Sequence, residues 1–236
     1  MTAQILLIIA AYLLGSVPHL RFLAKLRRIG LSGDFHQELW SRGGKIFGVL
    51  GIFGEFIKGI ASVLAGKALS MPPSVVAAAG LAAVCGQMWP VFSRFDGEKG
   101  NSIAIAMVFA LVPYVALIGI IPVVVSLIFR TVPRLTARRK SGEGRGLIGG
   151  SYSRSLPLGM FACFLIMPFA AWGLGEPREI VWCLAALFIL MIIVRRLTAG
   201  LKRDLASGAA VGDILVNRLF YDRAAVEWRQ GQLSAQ

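Results

Sequence analysis

Residues 86–101 read GQMWPVFSRFDGEKGN, and Gly97, Lys99 and Gly100 form a Gly-x-Lys-Gly turn within them. Glycines let a backbone turn sharply and bring its N–H groups close to a ligand, and a lysine offers positive charge to an anion. The combination could seat a phosphate; it equally describes a solvated turn whose lysine reaches toward lipid headgroups. A second pair, Glu55 and Lys58, lies inside an apolar run, where one helical turn places the two side by side. Ionisable groups in such a setting face a cavity or each other, so a ligand site and a mutually neutralised pair both stay open. His19 and His36 are the only histidines, and either could serve as a base near neutral pH. Cys85, Cys163 and Cys183 sit in apolar segments without metal-ligand spacing, so they read as packing residues, with no metal site and no disulfide.

The elements that must hold these residues are membrane helices. Hydrophobic residues make up 56% of the chain, charged residues 16%, and mean hydropathy is +0.71, more apolarity than one soluble core of this length can hide. The signal is continuous apolarity, which favours helices over the alternating segments of a barrel. The net charge of +13 would suit nucleic acid. The basic residues lie between apolar runs, however, which points to anionic lipid and anionic substrates and not to nucleic acid.

Residues 3–18 form a first span, read as a retained helix because no basic region precedes it. Segment 21–45 carries Arg21, Lys25, Arg27, Arg28, Arg42 and Lys45 against Asp34 and Glu38, a cytoplasmic signature. A second span covers 46–69, Pro72 and Pro73 mark an external turn, and a third span over 74–92 leads to the glycine–lysine turn on the cytoplasmic side. As one span, 102–129 would leave the basic segment 130–154 outside. Two short helices turning near Pro113 or Pro122 return it to the cytoplasm, at the cost of local thinning or a re-entrant hairpin. Residues 155–173 and 179–194 complete the set, and 138–155 reads as a flexible loop. On this topology every basic residue except Lys58, Lys67 and Arg178 is cytoplasmic. The expectation is an all-α integral membrane protein of about seven transmembrane helices, or six if 102–129 is one span. Its N-terminus is outside and its C-terminus cytoplasmic. A membrane domain covers 1–200 and a cytoplasmic or interfacial tail covers 201–236, in which 211–228 is either an amphipathic interfacial helix or solvated.

These landmarks, in this order, resemble the PlsY family of bacterial acyl-phosphate:glycerol-3-phosphate acyltransferases. Gly15, Ser16 and Pro18 match at the end of the first span, and Lys58 with Gly59 match in the second, where Glu55 stands for an aspartate. GQMWPVFSRFDGEKG looks like the family's Gly-His-x-x-Pro-Val-Phe followed by Phe-x-Gly-Gly-Lys-Gly. Tyr152, Ser153, Ser155 and Leu156 follow, then Arg196, Leu197 and Gly200. The chain departs from the pattern at Gln87 and Glu98. It departs also at 30–38, where GLSGDFHQE keeps Ser32 and Gly33, at the apolar 189–194 in place of a histidine and an asparagine, and at Lys202 in place of an acid.

The resemblance implies a seven-helix bundle in the bacterial plasma membrane with its site open to the cytoplasm. It also implies acyl transfer from acyl phosphate to the 1-position of glycerol 3-phosphate, in phospholipid synthesis, without a cofactor. Lys99 and Ser32 would be catalytic, and Ser16, Arg42, Lys58, Gly97, Gly100, Ser153 and Arg196 would bind substrate. The residues by themselves leave other roles open: Ser16 as a helix-end hydroxyl, Ser153 as an N-cap, Arg42 as a surface arginine and Arg196 as a helix-dipole partner. A catalytically inactive relative that binds anionic lipid, or acts as a scaffold, would carry the same landmarks. A transporter would need inverted repeats, and none is visible.

Overall fold

The structure, a computed structural model, describes residues 1–30, 35–141, 155–198, 201–206 and 208–222. Every regular element among them is helical: α1 Thr2–Ser16, α2 His19–Leu26, α3 Phe35–Glu38, α4 Lys45–Ala68, α5 Pro73–Met88, α6 Asn101–Leu111, α7 Pro113–Ser141, α8 Ser155–Gly173, α9 Arg178–Phe188, α10 Arg195–Thr198, α11 Leu201–Ala206 and α12 Val211–Tyr221. Wide π turns follow α3 at Leu39–Gly43 and α9 at Ile189–Val194.

The breaks fall where backbone chemistry demands them. α1 ends at Val17–Pro18, because proline lacks an N–H and disfavours helix in the residue before it. α5 starts on Pro73, whose missing N–H costs nothing in a first turn. Segment 102–129 is two helices, broken at Val112 ahead of Pro113, while Pro122 lies inside α7. α7 runs on to Ser141, well beyond the end expected at 129 and into the segment expected to be a loop. Arginine, lysine, leucine and alanine are good helix formers, and positive charge alone does not stop a helix. Five helical stretches are long and apolar enough to cross a bilayer: Thr2–Leu26, Lys45–Ala68, Pro73–Ser93, Leu156–Gly173 and Arg178–Thr198. Asn101–Leu111 and Pro113–Phe129 are shorter apolar helices.

The chain forms two compact units. Unit 1 comprises Met1–Leu117 and Ala170–Leu184; unit 2 comprises Ile118–Phe169 and the chain from Ala185.

In unit 1, α1 packs along α5 and α4 packs against α5 and α6. In lipid, helices associate by close backbone approach and interhelical hydrogen bonds, because burying apolar surface gains little there. The α1–α5 crossing uses both devices. A Cβ on Gly15 would overlap the Ala83 carbonyl and one on Gly86 would overlap the Tyr12 carbonyl, so only glycine fits at either point. At the end of the same crossing, Tyr12 Oη donates to the Trp89 carbonyl at 2.8 Å.

Unit 2 is tied by aromatic and ionic contacts. Phe161 meets Phe188 edge-on, with centroids 5.7 Å apart, and lies 4.8 Å from Phe220. Arg218 pairs with Asp204 at 2.6 Å and Arg195 with Asp222 at 3.1 Å. α12 buries Ile214 and Asn217 within this unit, so Val211–Tyr221 is a docked helix and not a solvated tail.

Candidate active site

α4 brings Glu55 and Lys58 onto its buried face, together with Gly51, Gly59 and Ser62. The two charges are 1% and 4% exposed, yet they do not pair directly. The side chain of Gln87, at the end of α5 and 5% exposed, stands between them. Its amide donates to Glu55 Oε1 at 2.9 Å, and its carbonyl oxygen accepts from Lys58 Nζ at 2.9 Å. The amide dipole is thus aligned with its negative end on the ammonium and its positive end on the carboxylate. Glu55 Oε1 also meets His36 Nε2 at 2.9 Å. Buried charges are tolerable in an apolar span only when they are bonded in this way.

Lys58 completes its set of three N–H donors on the carbonyls of Gly15, at 3.1 Å, and Val17, at 2.5 Å. These belong to the last turn of α1, where carbonyls have no helical partner. The ammonium therefore caps α1 and fixes the α1–α2 junction to α4 and α5. The Val17 carbonyl also accepts the His19 N–H at 2.9 Å.

Beyond Gln87 the chain makes a short 3-10 turn, Val91–Ser93, and then loops to α6. Two glycines there have different causes. A Cβ on Gly97 would collide with the Gln87 and Met88 carbonyls, so glycine is needed for close approach. Gly100 has φ +73° and precedes the first residue of α6, the left-handed conformation that glycine adopts without strain. The Glu98 N–H bonds the Gln87 carbonyl at 3.1 Å, so Gln87 holds the loop with its backbone and the buried charges with its side chain. Arg21 reaches the loop from α2, donating to the Asp96 carboxylate and carbonyl at 3.0 Å each.

Between the α1–α2 junction and this loop lies a cleft with about 280 Å³ of empty space, open to solvent. Ser16, His19, Arg21, Gln87, Ser93, Asp96 and Gly97 line it. Of the residues singled out in the sequence, Ser16 and Gly97 are in its wall. Ser16 Oγ also donates to the Tyr12 carbonyl at 2.9 Å, the helix-end bond left open above. Lys99 is exposed on the loop, and Lys58 touches the wall through Gln87. Arg42 is exposed and bonds the Gly30 carbonyl at 3.1 Å, with Glu38 at 3.8 Å. Arg196 belongs to unit 2, is 1% exposed, and donates to the carbonyls of Leu219 and Pro157. Ser32 and Ser153 fall outside the described residues. Sequence reasoning passed over Gln87 and Arg21 as site residues. Gln87 carried a signal, as a lone amide near the end of an apolar span, whereas Arg21 was one cation among many.

Chemically, the arrangement suits an anion. The loop delivers the N-terminus of α6, whose first N–H groups have no side-chain cap, and places Lys99 directly before it. Arg21 adds a second cation at the cleft mouth.

Comparison with known proteins agrees. The family model described as glycerol-3-phosphate acyltransferase matches residues 5–206. A glycerol-3-phosphate acyltransferase of Geotalea daltonii is 37% identical over 48% of this chain and 61% of its own length. One of Aquifex aeolicus is 42% identical over 47% and 61%, so the chain aligns with about three fifths of each of these relatives. Glycerol-3-phosphate acyltransferase 5 of Dehalococcoides mccartyi is 25% identical over 93% of this chain and 88% of its own length. Two crystal structures of PlsY, described as an integral membrane glycerol 3-phosphate acyltransferase, superpose with TM-scores of 0.64, in its lysophosphatidic acid form, and 0.60, in its glycerol 3-phosphate form. Both are 27% identical, and they cover 87% and 88% of this chain and 93% and 94% of their own. With its long apolar helices, the chain is a multi-pass integral membrane protein.

Proposed function

This chain belongs to the glycerol-3-phosphate acyltransferase family, and on that footing we propose that it moves an acyl group from acyl phosphate to the 1-hydroxyl of glycerol 3-phosphate at the bacterial plasma membrane. The hydroxyl oxygen bonds to the acyl carbon, the bond from that carbon to the phosphate oxygen breaks, and inorganic phosphate leaves. An acyl phosphate is already activated, so the protein's task is to hold two phosphorylated molecules in line beside an apolar slot for the acyl chain. No covalent intermediate on the protein is needed.

The observation that carries this reading is the family match over residues 5–206, which takes in both walls of the cleft. In it, Lys99 and the N–H groups that follow Gly100 seat a phosphate, with Gly97 keeping that loop against α5. Ser16 lines the slot, and Lys58 acts as a positioning residue by holding Val17 and Gln87. Ser32 is assigned as a second catalytic position, and Arg42, Ser153 and Arg196 as substrate contacts, on the family resemblance alone.

One observation favours a second reading, a non-catalytic relative that binds anionic lipid or acts as a scaffold. Segment 189–194 is wholly apolar, with Met191 and Ile192 buried, where the resemblance leads one to expect a histidine and an asparagine. Purified protein in lipid vesicles, given acyl phosphate and labelled glycerol 3-phosphate, separates the two. The enzyme reading expects labelled lysophosphatidate, reduced at least about 100-fold in Lys99→Ala at equal expression, which is the scale of a lost charge-stabilising donor. No product from the unmutated protein, where a motif-complete relative turns over, rejects it.

A further inference from the structure

His19 is the one imidazole in the cleft wall, and α4 is shaped to hold it. Its Nε2 meets the Gly51 carbonyl at 2.9 Å. A carbonyl only accepts, so Nε2 carries the proton and the neutral ring presents Nδ1 as a bare acceptor. One turn along α4 is Gly54, where a Cβ would come within 2.8 Å of Nε2 and closer still to the neighbouring ring carbon. Glycine at 54 therefore makes room for the ring, and the Nε2 edge of the imidazole lies against α4. Nδ1 is on the other edge. Among the described residues no protein group bonds it, and it is not sealed from solvent. The backbone beneath is also fixed, because the Val17 carbonyl takes both the His19 N–H and the Lys58 ammonium.

We propose that His19 is the proton acceptor of this site. The inference rests on the acyl-transfer reading. As the acceptor's hydroxyl oxygen forms its bond to the acyl carbon, the hydroxyl proton passes to His19 Nδ1. The carbon–oxygen bond to phosphate breaks with its electron pair, and inorganic phosphate leaves. The imidazolium then returns its proton to water, and the ring is neutral for the next turnover. Arg21, two residues along, lines the same cleft and is placed to meet the phosphate of the molecule whose hydroxyl His19 deprotonates. Lys58 and Gln87 hold the ring's backbone and the opposite wall, and so are positioning residues for this step.

His19→Gln separates the roles. The glutamine amide can donate to the Gly51 carbonyl as Nε2 does, but it supplies no basic nitrogen. Wild type and variant are compared for lysophosphatidate formation in vesicles, with thermal unfolding measured on the same preparations. The expected result is a kcat lower by about 100-fold or more with KM for glycerol 3-phosphate within about threefold, the scale of a lost general base. Retention of kcat within about threefold overturns the proposal. If the glutamine variant does not fold, His19→Ala with added imidazole decides: restored turnover supports the proposal, and none overturns it. A wild-type protein that makes no product refutes the acyl-transfer reading itself, a failure distinct from an active enzyme indifferent to residue 19.

Discussion

Replacing Gln87 by leucine removes both bonds that let Glu55 and Lys58 stay charged inside an apolar span. Each is a 2.9 Å hydrogen bond to a charged group, worth about 1.5–3 kcal/mol. The losses do not simply add. Lys58 keeps the Gly15 and Val17 carbonyls, and Glu55 keeps His36. A net destabilisation of about 3–5 kcal/mol is expected, the range seen when one member of a buried charged set is removed. At about 2–4 °C per kcal/mol for a chain of this size, the unfolding midpoint should fall by roughly 10 °C. Thermal unfolding of the purified protein in detergent, followed by tryptophan fluorescence, measures it. A matching control removes the charges as well: Gln87→Leu with Glu55→Leu and Lys58→Met should recover most of the loss, because no unpaired charge stays buried. A midpoint within about 2 °C of wild type for Gln87→Leu alone would refute the claim that this amide supports both charges.

Two further outcomes follow from the packing. Gly86→Val drives a side chain into the Tyr12 carbonyl and should separate α1 from α5, losing folded protein in detergent as read by size-exclusion chromatography, whereas exposed Gly44→Ala should leave that profile closer to wild type. Gly97→Ala must push the loop off the Gln87 and Met88 carbonyls. It should therefore cut kcat/KM at least about 10-fold with the unfolding midpoint little changed, since misplacement of a binding loop is felt more in turnover than in a distant core.

Much of this architecture is legible in composition and charge. Apolar runs reveal the helices, proline marks the break at Val112–Pro113, and Gly97, Lys99 and Gly100 flag the loop. What stays hidden is non-local. The spacing of Glu55 and Lys58 puts them on one face of α4 but does not say that a neutral amide from α5 will separate and bridge them. Arg21 and Asp96 are 75 residues apart, so no local pattern pairs them. The length of α7 is missed for a different reason: a basic segment reads as a connection, although its residues favour helix. His19 is visible as a histidine, but its orientation depends on a carbonyl and a gap that α4 provides.

The account stands most directly on the products of one reaction. Purified wild-type protein in vesicles should convert acyl phosphate and glycerol 3-phosphate to lysophosphatidate and inorganic phosphate in equal amounts, with neither formed when one substrate is withheld. Phosphate release that does not depend on glycerol 3-phosphate, or no lysophosphatidate at all, would contradict it.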